Sequence, residues 1–313
     1  MDKKEALKQI KAGDLSLADA DEKLKGDKEV VLEAINNDVY ALQYADESLK
    51  KDKEFILKAL KHGADVQYAD ESLKKDKEVI LEAIDNDSAH ALDYADDSLK
   101  KDREVVLASV REYGSSLEYA DDSFKKDKEV VLEAVKTSDG AFGYADDSLK
   151  KDKKFILEAV KSNGAVLNVL DESFKKDKKH VLEAVKSTPY SLRLVDDNFK
   201  KDKEIVLEAV KRDGCALEHA DDSFKKDKEI VFIAVKNNGN ALEYADDSLK
   251  KDKEIVLMAV KYNGNNLDYA DDSLKKDKEI VLEAVKENGD SLEYADDSLK
   301  NDRDILAIVN SEK

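Results

Sequence analysis

The sequence predicts an all-α solenoid of about a dozen 25-residue two-helix repeats, each with one long and one short helix. Three observations lead there: a fixed internal period, a helix-spaced apolar face inside each period, and no linker-like break anywhere along 313 residues. Length alone would suggest roughly two domains of about 150 residues each. The period overrides that expectation. Aspartates recur at Asp27, Asp52, Asp76, Asp102 and Asp127, then every 25 residues to Asp302. The two irregular steps fall at Lys61-His62-Gly63 and around Asp87-Ser88-Ala89-His90, in connections where one residue more or less costs little. Periods of 20–50 residues signal solenoids, propellers or tandem arrays.

One unit justifies the elements in order. Asp252 is the natural N-cap of the long helix, and Glu254 in the first turn suits its positive end. Ile255, Val256, Ala259 and Val260 share one helical face. Lys261 closes the helix, with Gly264 expected as a left-handed C-cap. The following Asn265–Leu274 segment reads as a shorter helix and a turn, with Leu267, Ala270 and Leu274 inward and Asp272 or Ser273 capping the last turn. A helix of about 10 residues is marginal in water, so neighbouring repeats must stabilise it. A leucine-rich repeat has a similar period, but Glu-Ile-Val-Leu-Glu-Ala-Val-Lys does not alternate as a strand would. The chain is therefore read as a single repeat array over 1–313. Residues 1–24 form an atypical N-terminal capping unit, 25–301 the tandem repeats, and 302–313 a C-terminal capping helix.

The phrase Leu-Glu-Tyr-Ala-Asp-Asp-Ser-Leu-Lys-Lys-Asp-Lys-Glu-Ile-Val-Leu, running from Leu242 to Leu257, resembles the tandem repeat catalogued as domain of unknown function 4116. The resemblance covers nearly the whole chain and implies a helical repeat fold. It implies no activity.

Charged residues make up 41% of the chain, and 73 Asp and Glu against 54 Lys and Arg leave a formal net charge of -19. That sign argues against direct binding of nucleic-acid phosphates, which depends on Lys and Arg. The start, Met1-Asp2-Lys3-Lys4-Glu5, has no apolar core and does not read as a signal peptide. No run approaches the ~18 apolar residues of a membrane span, so membrane insertion is not expected. The one cysteine, Cys215, excludes an internal disulfide and fits a reducing compartment, which gives a cytoplasmic expectation.

Three sets of columns were candidates for chemistry. An acidic pair precedes each repeat aspartate, as at Asp96-Asp97 and Asp296-Asp297; Lys residues three positions later offer charge compensation, and the spacing is not that of a calcium loop. A tyrosine column (Tyr44, Tyr68, Tyr94, Tyr119, Tyr144, Tyr244, Tyr269, Tyr294) reads either as packing between repeats or as a binding face. Between residues 165 and 220 the consensus breaks. Tyr-Ala becomes Val169-Leu170, Leu194-Val195 and His219-Ala220; Pro189 beside Tyr190 replaces the glycine, His180 enters an apolar column, and Arg193 and Arg212 appear. His180, Pro189, Tyr190, Arg193, Leu194, Arg212, Cys215 and His219 form the candidate interaction patch, since arrays commonly vary at binding surfaces. Cys215 and His219 are spaced i, i+4, but two ligands are too few for zinc and no base or orienting group accompanies the thiol. His62 and His90 read as solvated loop residues. No catalytic residue, metal or cofactor is expected. The expected function is a non-enzymatic scaffold for another macromolecule, foremost a protein with a basic surface. The alternatives are a structural spacer or assembly subunit, and an acidic cation-binding or nucleic-acid-mimic surface.

Overall fold

The computed structural model describes residues 1–86 and 89–311. Two readings fall wholly or partly outside the described residues: the insertion around Asp87–His90 and the last two positions of the C-terminal capping segment. Among the described residues there is helix and no strand, in the repeating order long α-helix, 3₁₀ helix, one-turn α-helix. The fold is an all-α repeat solenoid. Contacts group the chain into two compact units, Met1–Ile156 and Leu157–Lys313, with the boundary inside the Lys153–Ser162 helix.

In the first unit the long helices are Lys3–Ala12, Lys28–Asn37, Lys53–Lys61, Lys77–Asp85, Arg103–Glu112 and Lys128–Thr137. Each starts at an aspartate of the repeat column, whose carboxylate accepts backbone amides of the first turn. Asp102, for instance, accepts from Glu104 at 2.9 Å and Val105 at 3.3 Å. The second unit follows the same rule. Asp252 accepts from Glu254 and Ile255 at 3.1 and 3.4 Å. The predicted inner face is correct: Ile255, Val256, Ala259 and Val260 are fully buried. So are their counterparts Ile205, Val206, Ala209 and Val210.

The consensus glycine works differently from the expectation. Gly264 is not left-handed, because only Gly13 and Gly63 have positive φ. The helix instead ends at Asn263 in extended conformation, and Gly264 opens a 3₁₀ helix, Gly264–Tyr269, whose Asn263 cap accepts the Asn265 amide at 3.1 Å. What excludes a side chain at 264 is the next repeat: a Cβ there would lie 2.2 Å from the Ala284 carbonyl oxygen. Gly63, inside the irregular step of the period, is left-handed instead, with φ +86°.

The short half of the repeat also divides more finely than predicted. In place of one short helix, the 3₁₀ turn ends at an extended alanine (Ala270, φ −70, ψ 152) and a one-turn helix, Asp272–Lys275, follows. Its cap is Asp271, which accepts the Ser273 amide at 3.0 Å, rather than Asp272 or Ser273. Asp271 donates its own amide to the Lys250 carbonyl of the preceding repeat, at 3.0 Å. The same bond joins Asp121 to Lys100 in the first unit, at 3.1 Å. Helix C-termini are completed across repeats as well. Thr137 Oγ1 donates to the Val110 carbonyl at 3.2 Å, and Asn237 Nδ2 to the Lys211 carbonyl at 2.9 Å. Carbonyls orphaned at a helix end are thus satisfied by the following repeat.

Charge follows the same logic. The first lysine of a long helix reaches the cap and first-turn carboxylates of the next one: Lys77 meets Asp102 and Glu104 at 2.8 and 2.7 Å, and Lys253 meets Asp277 and Glu279, both at 2.7 Å. Solvent screens half-exposed pairs of this kind and makes each one weak, but their repetition fixes register. Lys77 beside Asp102 and Lys253 beside Asp277 hold these carboxyls below the usual range against partial desolvation, and the backbone amides act in the same direction. The lysines are correspondingly raised by their bonds to those carboxylates. The aspartates, depressed from 3.8, contribute stability that is present above that pH and lost as acid protonates the folded state. The lysines, raised from 10.5, contribute stability that is present below that pH and lost in stronger alkali. The melting temperature is therefore expected to be flat across neutral pH and to fall at both extremes. Melts at low salt check this, and a maximum confined to acid would contradict it.

Candidate functional site

The 3₁₀ helix sets the geometry of the exposed face. With three residues per turn, successive side chains point 120° apart. Leu117, Leu242 and Leu267 point inward and are fully buried. The next residue and the tyrosine after it must then take the two outward directions. The tyrosine column is consequently neither packed away nor free: Tyr44 and Tyr144 are 39% and 38% exposed, and Tyr68, Tyr94, Tyr119, Tyr244, Tyr269 and Tyr294 are half-buried.

The residue before each tyrosine is often acidic. Tyr119 is flanked by Glu118 of its own repeat and Asp93 of the preceding one; burial is the main cause that raises its hydroxyl, and both carboxylates add to it. Glu118 raises the Tyr144 hydroxyl, and burial followed by Glu243 raises that of Tyr269. Tyr244 is pushed up to about 12, by burial first and then by Glu243 and Glu218. The first unit thus carries a row of tyrosines from Tyr44 to Tyr144, with carboxylates at Asp93 and Glu118 and Gln43, Gln67 and Gly143 at the same position of the other repeats. The second unit carries a shorter row from Tyr244 to Tyr294.

These carboxylates differ from those of the acidic pairs. The acidic pair is neutralised, as predicted from its lysines: Lys125 meets Asp122 at 3.4 Å, and Lys251 meets Asp271 at 3.7 Å. By contrast Asp93, Glu118, Glu243 and Glu293 make no ion pair among the described residues, and Asp268 has only Lys275, at 4.0 Å. The sequence carries the signal that was missed. No lysine or arginine stands three or four positions from Glu118 or Glu243, the spacing that pairs charges on a helix.

The candidate patch separates into parts. Tyr190, Arg193 and His219 come together: the Tyr190 ring meets the His219 ring edge-on at 4.7 Å, the Arg193 guanidinium lies 6.0 Å from the Tyr190 centroid, and the Tyr190 hydroxyl donates to Glu218 at 3.0 Å. Leu194 and His219 occupy the tyrosine column here and are half-buried; Pro189 starts the 3₁₀ helix Pro189–Leu194. Arg212 is not part of this group, because it bonds Glu208 of its own helix at 2.9 Å. His180 is not a surface residue at all. It is 7% exposed, packs edge-on against Phe174 at 5.0 Å, and binds Asp177 through Nδ1 at 2.9 Å, while Nε2 has no partner among the described residues. Replacing His180 by isoleucine, the residue type of its column, should stabilise the chain by about 1–3 kcal/mol, since an unpaired buried polar atom is removed. An unchanged or lower midpoint in urea would count against that packing.

Cys215 and His219 lie on the 3₁₀ helix Gly214–His219, where i and i+4 do not share a face as they would on an α-helix. Burial pushes the Cys215 thiol up, with Asp213, Glu243 and Glu218 adding, so the thiolate needed of a nucleophile is disfavoured. Burial lowers His219, against the opposing pull of Glu218. No group of three or more His, Cys, Asp or Glu residues able to hold a metal occurs among the described residues. His62 is exposed and bonds Asn36 at 2.7 Å, and His90 is exposed beside two tyrosines. No helix among the described residues is long and apolar enough to cross a membrane.

A family model described as a domain of unknown function (DUF4116) matches the chain in twelve overlapping stretches, from residues 4–50 to 277–307. No curated protein and no solved structure matches.

Proposed function

The chain belongs to the repeat family described as domain of unknown function 4116, and from the chemistry of its surface we propose that it is a non-enzymatic scaffold that binds a protein with a basic surface. The observation that carries this reading is the sorting of charge. Most carboxylates at the helix caps and in the acidic pairs have a cationic partner, whereas Asp93, Glu118, Glu243 and Glu293, each next to a tyrosine, have none among the described residues. Unpartnered carboxylates next to half-exposed aromatic rings suit cationic side chains, which gain from both the charge and the ring face. The shifted thiol and imidazole described above supply no nucleophile and base pair, which favours a binding role over a catalytic one.

The test uses the whole chain with a small basic protein such as lysozyme, and an acidic protein of similar size for comparison. A saturable complex with the basic protein alone is expected, weakening about tenfold or more between ~20 and ~150 mM salt as charges are screened. A complex indifferent to salt, or none with the basic protein at low salt, would contradict the proposal.

A further inference from the structure

Beside the row in the second unit the chain supplies a cation of its own. Arg193 stands in the column that holds Glu118, Glu218, Glu243 and Glu293 in other repeats, and it is exposed. Its guanidinium lies over the Tyr190 ring, and Glu218, one repeat on, anchors the hydroxyl of that ring. In the first unit, exposed His90 sits between Tyr94 and Tyr119, with its ring centroid 6.5 Å from each. A planar side chain therefore fits between consecutive tyrosines of the row. The free positions, such as Glu118 with Tyr144 and Glu243 with Tyr269, present ring and carboxylate with no cation from the chain.

We propose that the tyrosines flanked by carboxylates form a track for arginine side chains of an extended protein segment, one at each repeat where ring and carboxylate coincide, and that Arg193 over Tyr190 is a built-in occupant closing a neighbouring position. This rests on the reading of the chain as a scaffold for basic proteins and names the surface and the partner's chemistry. Guanidinium is favoured over ammonium because it is planar, stacks on aromatic faces and offers a fork of donors to a carboxylate. Adjacent helices pack roughly 9 Å apart and an extended chain advances about 3.3 Å per residue, so matching arginines fall at about every third residue.

The probe is a fluorescent 15-residue peptide with arginine at every third position and glycine or serine between, with a lysine version alongside. Binding to the full chain is read by polarisation, and circular dichroism confirms that each variant is folded. Asp93→Asn with Glu118→Gln is expected to weaken arginine-peptide binding about tenfold, while the equal charge change Glu54→Gln with Glu112→Gln alters it less than about twofold. Arg193→Ser should tighten binding about threefold by opening a position, and Arg212→Ser, an equal charge change off the row, should not. The gain cannot arise from misfolding. If both pairs of neutralisations weaken binding equally, the track is wrong although the basic-partner reading stands. If the lysine peptide binds as tightly, the guanidinium assignment is overturned. If the arginine peptide fails to bind while lysozyme does, the track falls alone; if neither binds, both readings fall.

Discussion

Gly214→Ala is expected to destabilise the protein by roughly 3 kcal/mol, the upper end of what overpacking by a single methyl normally costs. A Cβ at Gly214 would lie 2.1 Å from the Ala234 carbonyl oxygen and 2.9 Å from its carbon, both backbone atoms of the next repeat's long helix. A rotamer change cannot relieve a clash with backbone, so the two repeats must part. Parting them also strains the Gly214 amide's bond to Asn237 Oδ1, now 2.8 Å. Gly143→Ala supplies the control. It lies in a 3₁₀ helix at negative φ with nothing within 4 Å of its would-be Cβ. That substitution should stabilise by about 0.4–1 kcal/mol through the unfolded chain. Urea midpoints of the two variants give the comparison. Equal effects would show that the glycine column is a matter of propensity and not of close approach.

Phe155→Ala is expected to cost about 3–5 kcal/mol, the usual range for emptying a buried aromatic site. Phe155 is fully buried and the largest such side chain. Its ring stacks on Phe142 of the 3₁₀ helix Asp139–Tyr144, at 6.3 Å between centroids and 19° between planes. The Lys128 ammonium sits 5.5 Å from its centroid. A double-mutant cycle with Phe142→Ala should therefore show coupling of about 0.5–1.5 kcal/mol beyond area burial. Strict additivity would mean that the two rings are merely neighbours. A loss under 1 kcal/mol would show that the cavity collapses, as a loosely packed seam would allow.

The parts of the fold legible in the sequence are those governed by residues close in the chain. Asp252 caps its own helix, and the Ile255, Val256, Ala259 and Val260 face follows from helical periodicity alone. What sequence could not fix depends on contacts about 25 residues away. Gly264 suits a left-handed stop and a close approach equally well until the Ala284 carbonyl is in place. Asp271 is not distinguishable from Asp272 as a cap in the sequence, because its role includes a bond to Lys250 of another repeat. From the sequence His180 reads as a surface residue, because a histidine in one apolar column looks like divergence; burial against Phe174 is a tertiary fact. The tyrosine row lay between, since its members were visible but their half-exposure follows from three residues per turn, not the 3.6 assumed.

Substantial contacts between elements link parts of one repeat or of successive repeats, and stability should then be a sum of local terms. Amide hydrogen exchange on Gly214→Ala tests this most directly. Faster exchange is predicted in the flanking long helices Lys203–Arg212 and Lys228–Asn237, with Lys28–Asn37 unchanged. Uniform acceleration along the whole chain, Lys28–Asn37 included, would mean one cooperative core and would contradict repeat-by-repeat stacking.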